Sequence, residues 1–344
     1  MNITFFIGNG FDLNLGLQTK YSDFYPYFID NASPDNMIKN WISKDIKLWA
    51  DLEEKLGEEL KHLDAQNIEQ FYEDKDELDL LLIDYLEKEQ SKIVTEGKED
   101  AIYETMQKSL NSIDGNLSEN EKAMIAATMS SYSNETVKYE FVSFNYTNIL
   151  DRILSICQTK GSVVGSHKHN SSMISHSIGS VKHIHGTTEE EMILGVNDPS
   201  QIHNEDLKKN TLFLNTFLKP MMNLMIGQRK EDAVNKLIEG SHIICIFGMS
   251  LGNTDKLWWN KIMNWLSKNE NNRLIVFYKG FEDNLRKRIP GKTIRLSDQL
   301  KTNIINQGNL KFDNSASLTK LKSRIMISFN SDIFTFPDLI KESI

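Results

Sequence analysis

The stretch Met1-Asn-Ile-Thr-Phe-Phe-Ile-Gly-Asn-Gly-Phe-Asp12 decides how the chain folds. Ile3 to Ile7 is a short apolar run rich in β-prone residues, and it stops at a glycine. Gly8-Asn9-Gly10 is expected to turn the chain, because glycine reaches positive φ cheaply and Asn tolerates it better than most residues. A strand that ends in a glycine turn and enters a helix aims backbone N–H groups at a ligand, which suits phosphate or pyrophosphate. The full dinucleotide fingerprint needs a third glycine at position 13, where this chain has Leu13. Taken alone, the stretch reads equally well as a plain strand and turn.

Three later stretches repeat its pattern. Tyr139-Glu-Phe-Val-Ser-Phe144 reads as a strand, followed by Asn145-Tyr146-Thr147-Asn148 and a helix from Ile149. A polar Asn at the carboxyl end of a buried strand is where open α/β sheets place ligand contacts, whereas Thr147 or Asn148 reads as a helix cap. Val181-Lys-His-Ile-His185-Gly186 is a short strand with a terminal His-Gly, and alternation puts His183 and His185 on one face. Ser241-His-Ile-Ile-Cys-Ile-Phe247 is a buried strand running into Gly248-Met-Ser-Leu-Gly252-Asn-Thr-Asp255 and a Trp-rich helix. Arg273 to Tyr278 is a further strand, and Ile325 to Phe329 another. Alternating strands and helices imply an α/β fold, a doubly wound and mostly parallel Rossmann-like sheet. Its carboxyl strand ends share one edge, so the four turns can meet in one crevice.

Residues 35–138 break this pattern. Charges dominate there, and Ile46, Trp49, Leu52, Leu56, Leu60 and Leu63 recur at helical spacing. We read 35–138 as a helical insertion into a main domain made of 1–34 and 139–344. It is expected to act as a lid or oligomer contact, anchored by Trp49. Asp51-x-Glu53-x-Lys55 mimics the acidic set of one class of metal-dependent nuclease. On a helix, i and i+2 do not face each other, so solvated charge is the better reading. Gly161 to Gly179 reads as a loop, Glu191 to Asp198 as a strand and turn, and Asn210 to Glu239 as a long Met-rich helical region with core-filling methionines.

Five of the eight histidines lie between 167 and 185, but neither His-x-His pair has helical zinc spacing or thiols nearby. No metal site is assigned. Hydrophobic content of 40% and charged content of 25% describe a globular chain. A net charge of −9 argues against a general nucleic-acid binder. Cys157 and Cys245 give no disulfide framework, no basic leader precedes the first strand, and no apolar run is bilayer-length. The expected setting is therefore the cytoplasm, away from membranes.

Gly-Asn-Gly-Phe-Asp12, Trp49-x-Asp-Leu-Glu53, Phe-Asn-Tyr-Thr147, His-Ile-His-Gly186 and Phe247-Gly-Met-Ser-Leu-Gly-x-Thr-Asp255 together resemble the AbiH abortive-infection proteins of bacteria, in order, over roughly 1–280. That resemblance implies a role in defence against bacteriophage, with a phage-derived trigger and a homo-oligomer among the partners to look for. A more distant likeness is to sirtuin-like NAD-binding domains, including NAD hydrolases of phage defence. It implies Asn145 and His185 as catalytic residues, with NAD as substrate and not as a permanently bound cofactor. It further implies nucleotide contacts from Gly8, Asn9, Gly10, Phe11, Asp12, Tyr146, Thr147, Gly248, Ser250 and Asp255. Thr147 replaces the sirtuin acid, Asn9 replaces Ala, and the Cys-rich zinc module is absent. These departures point to hydrolysis of NAD to ADP-ribose and nicotinamide and away from lysine deacylation. A metal-dependent nuclease and a nucleotide-sensing module without turnover are the alternatives.

Overall fold

The computed structural model describes residues 1–227, 229–252, 255–280, 288–310, 312 and 314–340. Among these residues seven strands form one sheet: β1 Asn2–Ile7, β2 Val137–Ser143, β3 Val163–His169, β4 Ser172–His183, β5 Ile243–Phe247, β6 Arg273–Tyr278 and β7 Ile325–Phe329. Their order is β3-β4-β2-β1-β5-β6-β7. Only the edge pair β3–β4 is antiparallel; the other five pairs are parallel. The chain builds outward from β1 in one direction through β2 and β4. It then returns to the other side of β1 for β5, so the order reverses between β1 and β5.

β1 sits at the centre because its sequence suits burial on both faces. Ile3, Phe5 and Ile7 enter one apolar core with Tyr139, Phe141 and Ile153. Phe6 enters the opposite core with Ile244, Ile246, Trp258 and Trp259. Thr4, also fully buried, satisfies its hydroxyl on Ser241 Oγ at 2.6 Å. Helices 99–111 and 149–159 contribute to the first core, and helices 230–240 and 256–268 to the second.

Residues 35–138 do not share one core. Helices 37–44, 52–59 and 68–90 pack with helix 21–31 and with residues 194–218 around Trp49, Phe71 and Phe213. Helices 99–111 and 119–131 pack on the sheet instead. The stripe from Ile46 to Leu63 is broken into short helices, 46–48, 52–59 and 60–62, and Ile46 is exposed while the other five are buried.

Several local expectations are corrected. Gly161 to Gly179 is not a loop: it holds the β3–β4 hairpin, with Asn170 at positive φ in the turn. Residues 191–198 form no strand, only a single bridge from Val196 to Leu218. The Met-rich region divides into helices 211–217, 219–225 and 230–240, and Met225 is exposed, not core.

The first turn is also built differently. Neither Gly8 nor Gly10 has positive φ, and Asn9 is in the right-handed helical region. Glycine is needed because the β5 turn lies against this one. A Cβ on Gly8 would stand 2.6 Å from the Gly248 carbonyl oxygen, and one on Gly10 would meet the Gly248 Cα. Gly248 itself has φ +71°. Gly10→Ala is therefore expected to lower stability by about 1–3 kcal/mol, the cost of overpacking. Urea denaturation measures it; wild-type stability would show that the two turns separate freely.

Candidate functional site

The four turns do converge. Gly8 and Asn9 after β1, Phe144 and Tyr146 after β2, His185 after β4, and Gly248 to Ser250 after β5 line one cavity of about 260 Å³. The helical segment supplies Ala50, Asp51 and Glu53 to the same wall, and Lys20, Tyr21, Lys219 and Asp255 complete it. Asn9 and Gly248 to Ser250 also border a neighbouring cavity of about 630 Å³, reached by Gly10, Phe277 and Tyr278. Together the two occupy the carboxyl edge beside the β1–β5 reversal.

His185 dominates the smaller cavity. Its ring is buried between Phe144 and Tyr146, and both ring nitrogens lack any hydrogen-bond partner. Burial, reinforced by Lys219 and Lys230, holds the imidazole well below its ordinary 6.5, so it is neutral. His183 does not share that position. β4 ends at His183, whose ring meets Asp151 Oδ2 at 2.8 Å and the Asn145 carbonyl at 3.3 Å. Gly186, which follows His185, has φ +74°, and a side chain there would collide with the Glu191 main chain. This glycine fixes where His185 stands.

Asn145 lies beneath the cavity, buried, with Nδ2 donating to Asp12 Oδ1 at 3.0 Å and its own Oδ1 unpartnered. Thr147 donates to the other Asp12 oxygen at 2.7 Å. Asp12 is thus neither a cap nor an exposed acceptor but the anchor of the β2 turn, and burial lifts its carboxyl to about 6. Neither Thr147 nor Asn148 caps helix 149–159 through its side chain. Asp255 makes no capping bond to helix 256–268. Phe11 faces the sheet core against Phe247 and Phe334. Gly8 N–H donates to the Phe247 carbonyl and Gly10 N–H to the Gly248 carbonyl. Those two amides are therefore engaged within the protein, and the helix they introduce, Gly10–Asn14, has only five residues.

Glu53 is the largest departure from expectation. It is not solvated: it is buried, with Lys219 Nζ at 2.6 Å from Oε2 and the Tyr146 hydroxyl at 3.0 Å from Oε1. Burial raises its pKa despite Lys219. Asp51 caps helix 52–59, accepting from the Glu53 and Glu54 N–H groups at 3.1 Å. Lys55 turns away to Glu58 and Glu59. Lys55 is therefore separated from Asp51 and Glu53, which line the cavity. Burial also lifts Asp255 to about 7, with Lys219 opposing and Glu53 adding to the shift. The sequence carried a signal for Glu53, in Trp49-x-Asp-Leu-Glu53. It carried none for Lys219, a lysine inside an apolar segment, nor for Lys20.

His167 and His176 are held by each other and by Asn111. His167 Nδ1 meets His176 Nε2 at 2.8 Å, and His176 Nδ1 meets Asn111 Oδ1 at 3.2 Å. Among the described residues no three His, Cys, Asp or Glu side chains converge as a metal-holding group, and no helix is long and apolar enough to cross a membrane.

The family model for bacteriophage abortive infection AbiH matches residues 4–279. The chain belongs to the AbiH family. The match spans β1 through β6 and so contains every turn that lines the cavity, together with Glu53 and Lys219. Membership places this AbiH protein among the abortive-infection defences against bacteriophage. No curated protein matches the chain. Thr254 of the fifth motif lies outside the described residues.

Proposed function

We propose that this AbiH protein hydrolyses NAD to ADP-ribose and nicotinamide as its antiphage activity. The observation that carries the reading is the neutral, partnerless His185 in a polar cavity at the strand-order reversal. With edge strand β3 set aside, the order matches that of doubly wound dinucleotide-binding sheets, which take ligands at such a reversal. This supports the sirtuin-like, Rossmann-like reading of the fold. The larger cavity has room for the adenosine half and the smaller for the nicotinamide riboside.

In the reaction the C1′–N bond breaks and its electron pair returns to the nicotinamide nitrogen, which leaves neutral. A water oxygen bonds to C1′ and its proton passes to His185. The ribosyl group becomes oxocarbenium-like on the way. Glu53 and Asp255 line the cavity that takes that developing positive charge, and carboxylates fixed in place stabilise it without reorganisation. Asn145, held by Asp12, sets the position of the β2 turn from beneath the cavity. With two turn amides engaged, and with the Asn9 side chain held by Thr19 and the Ser250 hydroxyl by Asp255, the phosphates are assigned to Lys20.

The test is purified protein incubated with NAD, and cells with and without phage infection, followed by chromatography of the products. Release of nicotinamide with ADP-ribose is expected. Tight ADP-ribose binding with no nicotinamide in either setting would replace hydrolysis with nucleotide sensing, the reading favoured if Asn145 serves only to anchor its turn.

A further inference from the structure

A separate cavity of about 620 Å³ lies between helix 68–90 and the segments 191–194 and 211–226. Its size is that of a small-molecule site. Met192, Leu194, Met222 and Ile226 give it an apolar lining. Two buried oxygens of the lining residues have no hydrogen-bond partner, Asp79 Oδ1 and Asn215 Oδ1. Buried polar atoms are almost always satisfied, so two orphans around one cavity mark a place where a ligand belongs. Both can only accept hydrogen bonds. Asn215 stands at the Tyr72 end, where Phe213 of its helix packs on the Tyr72 ring at 6.2 Å and Thr216 bonds the Tyr72 hydroxyl.

Charge narrows the ligand further. Glu69, Asp76 and Asp79 line the cavity against one lysine, Lys75, which already pairs with the other Asp79 oxygen at 2.6 Å, while Glu191 is paired with Lys230 at 3.1 Å. Burial raises the Asp79 carboxyl above its ordinary value, a strain that an incoming cation relieves. Tyr72 and Asp79 are seven residues apart on helix 68–90, about 10 Å along its axis. One ammonium cannot bridge them, whereas an elongated molecule can.

We propose that this cavity is a binding site for an elongated aliphatic molecule carrying a protonated amine at Asp79 and a second N–H donor at the Tyr72–Asn215 end. The apolar walls take the hydrocarbon between them. The site shares a wall with the first cavity: Ile193 lines the second, and its carbonyl meets the Tyr146 hydroxyl at 3.0 Å. Communication between the two rests on the nucleotide reading above, but occupancy of the second does not.

Titration calorimetry of the full chain with 1,8-diaminooctane tests occupancy without NAD. One molecule is expected to bind per chain. Asp79→Asn and Asn215→Leu are each expected to weaken it about tenfold or more, the loss for one charged or buried hydrogen bond. 1,8-Octanediol, of equal length and uncharged, is expected to bind more weakly than the diamine. No binding by the wild type, unchanged affinity in both variants, or equal affinity for the diol each overturns the proposal. Should Asp79→Asn fail to fold, Asn215→Leu alone decides.

Discussion

His185→Ala is expected to lower nicotinamide release by ~10²–10⁴, the usual loss when a general base is removed, while leaving the protein folded. The fold should survive because neither ring nitrogen makes a hydrogen bond that the rest of the chain depends on. The pH profile separates this role from mere packing. Burial depresses the imidazole well below 6.5, so it stays neutral across the physiological range and sets no limb near pH 6.5. Asp255, which lines the cavity, titrates near neutrality, at about 7. Turnover is therefore expected to rise as pH passes 7, as Asp255 becomes an anion able to stabilise positive charge, and Asp255→Asn should remove that rise. A folded His185→Ala protein with wild-type turnover removes this residue from the mechanism. A limb that disappears in His185→Ala but persists in Asp255→Asn would reverse the two assignments.

The sequence made the sheet legible where burial on both faces leaves apolar runs, as at Ile3–Ile7 and Ile243–Phe247. It concealed the β3–β4 hairpin because that edge is half-exposed and its Ser, Gly and His residues carry no apolar alternation. The glycines after β1 were visible, but their reason was not. Local rules assign them to φ, whereas the contact that demands them comes from Gly248, well over two hundred residues away in the chain. His185 stood out as the end of a strand; its partnerless nitrogens depend on packing by Phe144 and Tyr146, which no spacing encodes. Glu53 was misread for the same reason. On an isolated helix its charge belongs in water, and only the arrival of Lys219 from a distant helix makes burial tolerable. A motif of alternating acids in a helical run thus says little about whether one of them points inward. The aromatic Trp49 four residues earlier was the better indicator that this face is buried.

Lys219→Met is expected to cost about 3–5 kcal/mol near pH 8, because it leaves a buried carboxylate without its cation. Both partners are almost fully buried, at 4% and 6% side-chain exposure, so solvent does little to screen the loss. The penalty depends on pH. In the folded protein Glu53 already titrates above its ordinary 4.5, since burial outweighs the attraction of Lys219. As pH rises past 4.5 the unfolded chain releases this proton before the native state does, so the group's contribution is fully present below 4.5 and is lost as pH climbs through the folded value. Removing Lys219 raises the folded value further and deepens that loss. Urea unfolding of Lys219→Met should therefore show a smaller deficit at pH 5 than at pH 8. Pairing it with Glu53→Gln removes the buried charge altogether while keeping an oxygen for the Tyr146 hydroxyl, and should restore most of the stability. Glu53→Gln alone leaves the Lys219 ammonium buried without its anion, so the coupling in the double-mutant cycle is about the sum of the two single losses. An equal deficit at both pH values, or no rescue by Glu53→Gln, would mean that Lys219 acts by packing its stem among apolar neighbours and that Glu53 is not held in the cavity as an anion.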